Sequence, residues 1–166
     1  MKKIYSVVAI VFLIATLSAG QLFAGGSEYG PKNKRFGAGI VAGEPTGITL
    51  KGYLTKYLAL DAIAAWSFFD RGFTVIGDVT YDFLDIPISS STVTLPFYAG
   101  AGGMVVIQPR GRDDQKTIVG VRVPIGLGIQ WVNYPVEVYL EAGPGINLTP
   151  KTQFNMTGGL GIRYYF

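Results

Sequence analysis

The sequence predicts an all-β fold: an eight-stranded antiparallel up-and-down transmembrane β-barrel, preceded by a cleaved signal peptide. Three observations carry this reading. Apolar and polar residues alternate with a period of two, not 3.6, over most of residues 35–166. Outward aromatics gather at the ends of the alternating runs, while the middles carry Val, Leu, Ile, Ala and Gly, as membrane–water interfaces favour. Charged residues make up only 15% of the chain against a usual quarter or so, yet no apolar run beyond the N-terminus approaches the length of a transmembrane helix. A wall with lipid on one side satisfies both facts.

The elements follow in chain order. Lys2 and Lys3 form a basic n-region, residues 4–17 a mostly apolar stretch, and small residues follow without a stop-transfer pattern, which reads as a secretory signal. Cleavage after Ala24 is favoured over cleavage after Gly20, because Gly25-Gly26-Ser27 then opens a flexible tail over 25–34. The barrel occupies 35–166, one domain by length. Losing Lys2 and Lys3 leaves twelve of the 14 basic residues against 11 acidic ones, so no basic stripe remains and nucleic acid is not an expected partner.

Eight segments alternate: 35–43, 47–55, 58–68, 72–83, 94–108, 117–131, 136–144 and 154–166. Most have the length that crosses a bilayer at a tilt, about 9–11 residues. The clearest is 117–131, with Val119, Val121, Val123, Ile125, Leu127, Ile129 and Trp131 on one face and Gly120, Arg122, Pro124, Gly126, Gly128 and Gln130 on the other. A slip of one residue would exchange the faces, so the register is strongly specified. The same parity sends Thr49, Lys51, Tyr53, Asp61, Ser67, Asp78, Asp82, Glu137, Tyr139 and Glu141 inward. The outward aromatics expected to form two girdles are Phe36, Trp66, Phe68, Phe73, Tyr81, Phe83, Phe97, Trp131, Tyr164 and Phe166. Connections at 43–47, 70–71, 109–116 and 144–153 are expected on one side, and those at 55–57, 84–92 and 133–135 on the other, with both termini.

The last strand ends Gly159-Leu160-Gly161-Ile162-Arg163-Tyr164-Tyr165-Phe166. It resembles the assembly signal of bacterial outer-membrane proteins, polar-x-Gly-x-x-aromatic-x-aromatic. Gly161, Tyr164 and Phe166 match it, and Gly159 stands where the polar residue belongs. With the signal peptide and the eight short amphipathic strands, the chain is similar to the small OmpA-like barrel class. Gly43-Glu44-Pro45-Thr46-Gly47, Lys51 and Leu60-Asp61 resemble a pattern recurrent in small bacterial barrel domains. The resemblance implies the outer membrane, contact with its lipid and lipopolysaccharide, and insertion by the barrel-assembly machinery. Members of this class are structural wall-anchors, adhesins, narrow channels or lipid-modifying enzymes.

The inward charges are the candidate site. Lys51, Arg122 and Arg163 share the lumen with Asp61, Asp78, Glu137 and Glu141. An eight-stranded barrel is just wide enough to be filled by its own side chains. Charges buried there need partners. A plug of ion pairs is therefore expected, with inward glycines (Gly37, Gly39, Gly100, Gly102, Gly126, Gly128, Gly159, Gly161) leaving room for the long cationic arms. A narrow conducting path, in which pairs exchange partners, is the alternative.

Catalysis is not expected. The chain has no histidine, which removes Ser-His and Cys-His nucleophiles, and no cysteine, which removes a lipid anchor, disulfides and thiolate zinc. Glu137 and Glu141 lie two pleats apart on one strand face, roughly 13 Å, too far for a glycosidase pair. Gly37-x-Gly39-x-x-x-Gly43 lacks the dinucleotide spacing, and no cofactor is implied. Arg110, Arg112 and Lys116, mixed with Asp113 and Asp114, read as a solvated loop tip able to touch lipopolysaccharide phosphates. The expectation is a monomeric structural or surface-interaction barrel with a host or envelope partner of unknown identity. A secreted lipocalin-like barrel would need an apolar lumen and a polar exterior.

Overall fold

The computed structural model describes residues 29–67, 72–86, 92–110 and 114–166. The expected signal peptide at 1–24, the first residues of the tail, Phe68 and Arg112 lie outside the described residues, as do the side chains of Arg110 and Lys116. Among the described residues nine strands follow a short 3-10 turn at Pro31–Asn33: β1 (Phe36–Glu44), β2 (Thr46–Tyr53), β3 (Leu58–Ser67), β4 (Gly72–Ile86), β5 (Val93–Arg110), β6 (Asp114–Arg122), β7 (Ile125–Trp131), β8 (Val136–Thr149) and β9 (Gln153–Tyr165). All pairings are antiparallel, and β1 pairs with β9 as well as β2 while β4 pairs with β5, so the sheet closes on itself. Closure matters because an open edge would leave backbone donors and acceptors unpaired.

The single strand expected over 117–131 is divided. Both pieces lie between β5 and β8, end to end, and the break is Val123-Pro124. The cause is chemical. Gly100 N–H donates to the Pro124 carbonyl and Val123 N–H to the Pro144 carbonyl, each at 2.9 Å. Neither proline has an N–H to return. Other boundaries also move. The expected loop at 144–153 is mostly strand, because β8 runs to Thr149 and β9 starts at Gln153. The expected loop at 109–116 shrinks likewise, since β5 reaches Arg110 and β6 starts at Asp114.

The register sets the tilt. Starting at Gly37 and moving partner to partner, the path runs through Lys51, Asp61, Asp78, Gly102, Arg122 and Gly145 to Asn155. Gly37 itself pairs with Tyr165, ten residues further along β9 (165 against 155). That stagger is what inclines strands to a barrel axis. It also threads Lys51, Asp61, Asp78 and Arg122 onto one inward row, although the sequence scatters them over four strands.

We call the end with the start of β1 and the finish of β9 proximal, and the other distal. The outer face is apolar along its whole height, with Ile40, Ile48, Val79, Val121, Leu140 and Leu160 all exposed. Phe36, Tyr81, Phe83, Phe97, Trp131, Tyr164 and Phe166 lie toward the proximal end, where Phe36 meets Phe166 and Tyr81 meets Phe83 at ring-centre distances of 5.5 and 5.1 Å. Tyr57 and Tyr134 join them there. The distal end carries fewer described aromatics: Trp66 and Phe73, 6.5 Å apart, and Phe154. Phe83 is exposed in phase with Tyr81, and the ladder with β5 shifts register beside it, between Asp82 and Leu84.

Candidate functional site

The lumen is built by parity. Each strand that sends a Val or Leu outward sends the next side chain into the ring, and twelve polar or charged residues are buried there among the described ones. They form two linked clusters. Arg163 on β9 is the centre of the proximal one. Its guanidinium donates to Asp61 at 2.5 Å, to Glu137 at 3.2 Å and to the Thr49 hydroxyl at 2.8 and 3.0 Å. Its fourth neighbour is the Tyr139 ring, whose centre lies 3.8 Å from Cζ. Glu137, opposite Arg163 in the ladder, also accepts from the Tyr165 hydroxyl at 2.7 Å and from Gln130 at 2.9 Å. Gln130 donates to the Tyr53 hydroxyl at 3.0 Å, and that hydroxyl donates to Asp82 at 3.1 Å. Lys51 sits 4.0 Å from Asp61 and 3.9 Å from Asp82, with no hydrogen bond at Nζ, over the rings of Tyr98 and Tyr53.

Arg122 centres the second cluster. It bonds Glu141, donates to Thr157 at 2.9 Å and lies 3.5 Å from Asp78 through Nε. The Thr157 hydroxyl in turn donates to the Gly143 carbonyl at 3.0 Å, and Tyr98 donates to Glu141 at 2.9 Å. All seven sequence-derived charges therefore reach opposite charges. Asp61 links Arg163 to Lys51, so the proximal cluster is one continuous chain.

Sequence reasoning left several members out. Asp82 carries inward parity but was not among the paired charges, although it partners both Lys51 and Tyr53. Counting it, three cations pair with five carboxylates among the described residues. Four tyrosines belong to the network: Tyr53 and Tyr98 supply ring and hydroxyl at once, Tyr139 its ring and Tyr165 its hydroxyl; parity already sends Tyr53 and Tyr139 inward, but the charge pattern alone does not count them. The inward glycines make room for these rings more than for the cationic arms. A Cβ at Gly37 would meet the Tyr165 ring at 2.8 Å, and Cβ atoms at Gly126 and Gly161 would strike the Tyr98 and Tyr139 rings. The arm of Arg122 lies against Gly143, which the pattern did not single out. Unforeseen too was a distal apolar layer, in which Val41, Ile63, Ile76, Met104, Val106 and Ile118 pack inside the ring. Where that layer meets Arg122, Tyr139 and Glu141 the free space is about 10 Å³, at the lower limit for one water.

Gly161, Tyr164 and Phe166 lie on the seam where β9 meets β1. Tyr164 and Phe166 are exposed on the outer face, 6.1 Å apart, and Phe166 N–H donates to the Phe36 carbonyl at 2.9 Å.

No protein-family model matches the chain, and no curated protein is significantly similar to it. Among solved structures, the chain is similar to the N-terminal β-barrel domain of OprF from Pseudomonas aeruginosa, with a TM-score of 0.54 and 14% identity. The match covers 80% of this chain and 98% of that one. At that identity the likeness shows the fold, a closed antiparallel β-barrel, and nothing finer.

Proposed function

We propose that the chain is a small bacterial outer-membrane β-barrel of eight wall positions, monomeric after loss of residues 1–24, whose lumen is plugged by its own side chains. Its role is structural or one of surface contact, without catalysis. The observation that carries the plug is the packing between the distal apolar layer and the Arg122–Glu141 pair, where the gap is about 10 Å³. The apolar outer belt and the closed ring support the membrane setting, because only a closed sheet satisfies its backbone in lipid. The assignment of the proximal end to the periplasm rests on the start of β1 and the finish of β9 lying there. Lipid and lipopolysaccharide contact the belt, and the assembly machinery reads the seam at Gly161, Tyr164 and Phe166. A secreted ligand-binding barrel would need the faces reversed.

One observation favours a second reading, a narrow cation path. Among the described residues five carboxylates face three cations in the lumen, so any opening would favour positive ions.

Cell fractionation and gel mobility before and after boiling test the barrel, and single-channel recording tests the plug. A heat-modifiable outer-membrane protein without steady conductance is expected. A soluble periplasmic protein with no mobility shift would remove the membrane reading. A large steady conductance would replace the plug with the channel.

A further inference from the structure

The stretch 25–34, expected as a flexible tail, is described from Tyr29 onward, and there it follows a defined path across the proximal mouth. It leaves β1 beside β2, where Tyr53 N–H donates to the Arg35 carbonyl at 2.9 Å and the Arg35 side chain reaches the Leu54 carbonyl at 3.3 Å. Its far side, the turn Pro31–Asn33, touches β7. Counted around the ring, β2 and the β6/β7 position are four steps apart in either direction, so the segment spans the full diameter.

Three local features hold it there. Tyr29 packs on the buried cluster of Tyr53, Ala59 and Tyr165 that floors the mouth. Arg35 covers the other side of the Tyr29 ring, with Cζ 5.5 Å from its centre. Gly30 takes φ 80, a left-handed conformation that side chains disfavour, and a Cβ there would meet the Tyr53 ring at 2.9 Å. The bend that follows is closed by Asn33 N–H to the Gly30 carbonyl at 3.0 Å, and Pro31 is buried. The strap leaves a recess on each side, about 180 Å³ toward β4 and about 280 Å³ toward β7, but beneath it Ala59 and Tyr165 have no exposed surface.

We propose that Tyr29–Arg35 is a built-in stopper for the proximal mouth of the lumen, separate from the charged plug below it. This rests on the reading of the ring as a barrel whose interior can be closed off. The stopper is held by one aromatic ring in an aromatic socket and by one glycine bend, so it can be released without touching the wall.

The chain has no cysteine, which makes a single introduced thiol a clean probe. Ala59→Cys places one under the strap at the cost of one sulfur atom. The refolded protein is treated with a water-soluble maleimide, with the strap intact, with Tyr29→Ser, and with residues 29–34 replaced by a Gly-Ser run of equal length. Labelling is expected to be slow with the strap intact and at least about tenfold faster in the replaced variant, with Tyr29→Ser between them. Gel mobility without boiling reports folding of the ring in every sample. Unchanged labelling in a folded replaced variant overturns the stopper, as does fast labelling with the strap intact. Should the replaced variant not fold, Tyr29→Ser decides by the same criterion. Absence of any mobility shift in the unsubstituted protein would instead overturn the barrel reading, so the two failures are distinct.

Discussion

The guanidinium carbon of Arg163 lies 3.8 Å from the centre of the Tyr139 ring, and the two residues belong to adjacent strands whose ladder pairs Tyr139 with Gly161. The glycine lets the ring lie flat against the wall; the flat ring then carries the cation. A Cβ at position 161 would strike the Tyr139 ring and leave no place for either. Such an arrangement gains from cation–π attraction, which strengthens where water is excluded.

Arg163→Ala leaves both Asp61 and Glu137 short of their main donor. Breaking a buried pair costs about 3–5 kcal/mol, and two carboxylates are uncovered here. Arg163→Lys keeps the charge but loses the planar fork and the stack on Tyr139, so its loss is expected to be smaller but clear. Urea unfolding in micelles ranks these against Leu160→Ala on the exposed outer face. A loss for Arg163→Ala no greater than for Leu160→Ala would refute the central role of Arg163.

Arg122 offers a comparison one residue wide. Arg122→Ala strands Glu141 and Asp78 and is expected to cost several kcal/mol, about 3–5 by the same reasoning. Val121→Ala, its outward neighbour, trims an exposed side chain on the outer face and should cost far less. If the two prove equal, Arg122 does not act from inside. If Arg122→Ala keeps its stability and opens a steady current, the cation path displaces the plug.

Two strand glycines are expected to respond oppositely to the same change. Gly126 faces Tyr98, and a methyl there would strike the ring, so Gly126→Ala should cost about 1–3 kcal/mol through overpacking. Gly77 faces outward and a Cβ would meet nothing within 4 Å. Gly77→Ala should therefore be neutral or stabilise by about 0.4–1 kcal/mol, because alanine loses less freedom on folding. Destabilisation by both would show that the inward and outward roles are misassigned.

Phe166 closes the seam with Phe36 and belongs to the proposed assembly signal. Its deletion is expected to lower the amount of protein in the outer membrane, leaving it periplasmic or degraded. Deleting Lys151, in the distal hairpin, should do little. Quantitative blotting of membrane fractions decides, and equal levels would argue against the assignment.

What the sequence makes legible is whatever depends on parity. Arg122, Glu137 and Arg163 can be assigned to the inside because their neighbours alternate cleanly. What parity leaves open is who meets whom, since the row from Lys51 through Asp61 and Asp78 to Arg122 depends on the stagger around the whole ring. The break at Pro124 was readable in principle, because a proline in an otherwise regular strand marks a missing donor. The extension of β8 was harder to see. Past Pro144 the outward residues Ile146 and Leu148 still alternate with Gly145 and Asn147, but Pro144 and the proline at 150 frame the stretch like a loop. The strap at Tyr29–Arg35 is short and irregular, and its path comes from one tyrosine finding a socket made by three other segments.

The paired prolines have a mechanical consequence. Pro124 returns no bond to Gly100, and Pro144 returns none to Val123, so two neighbouring seams of the wall are each one tie short at the same height. A sideways strain on the cylinder would part it there before anywhere else. The amide protons that remain beside the gap, those of Gly100 and Val123, would then be the first of the wall to trade with deuterium, and the lateral tear would start at mid-wall and not at a rim.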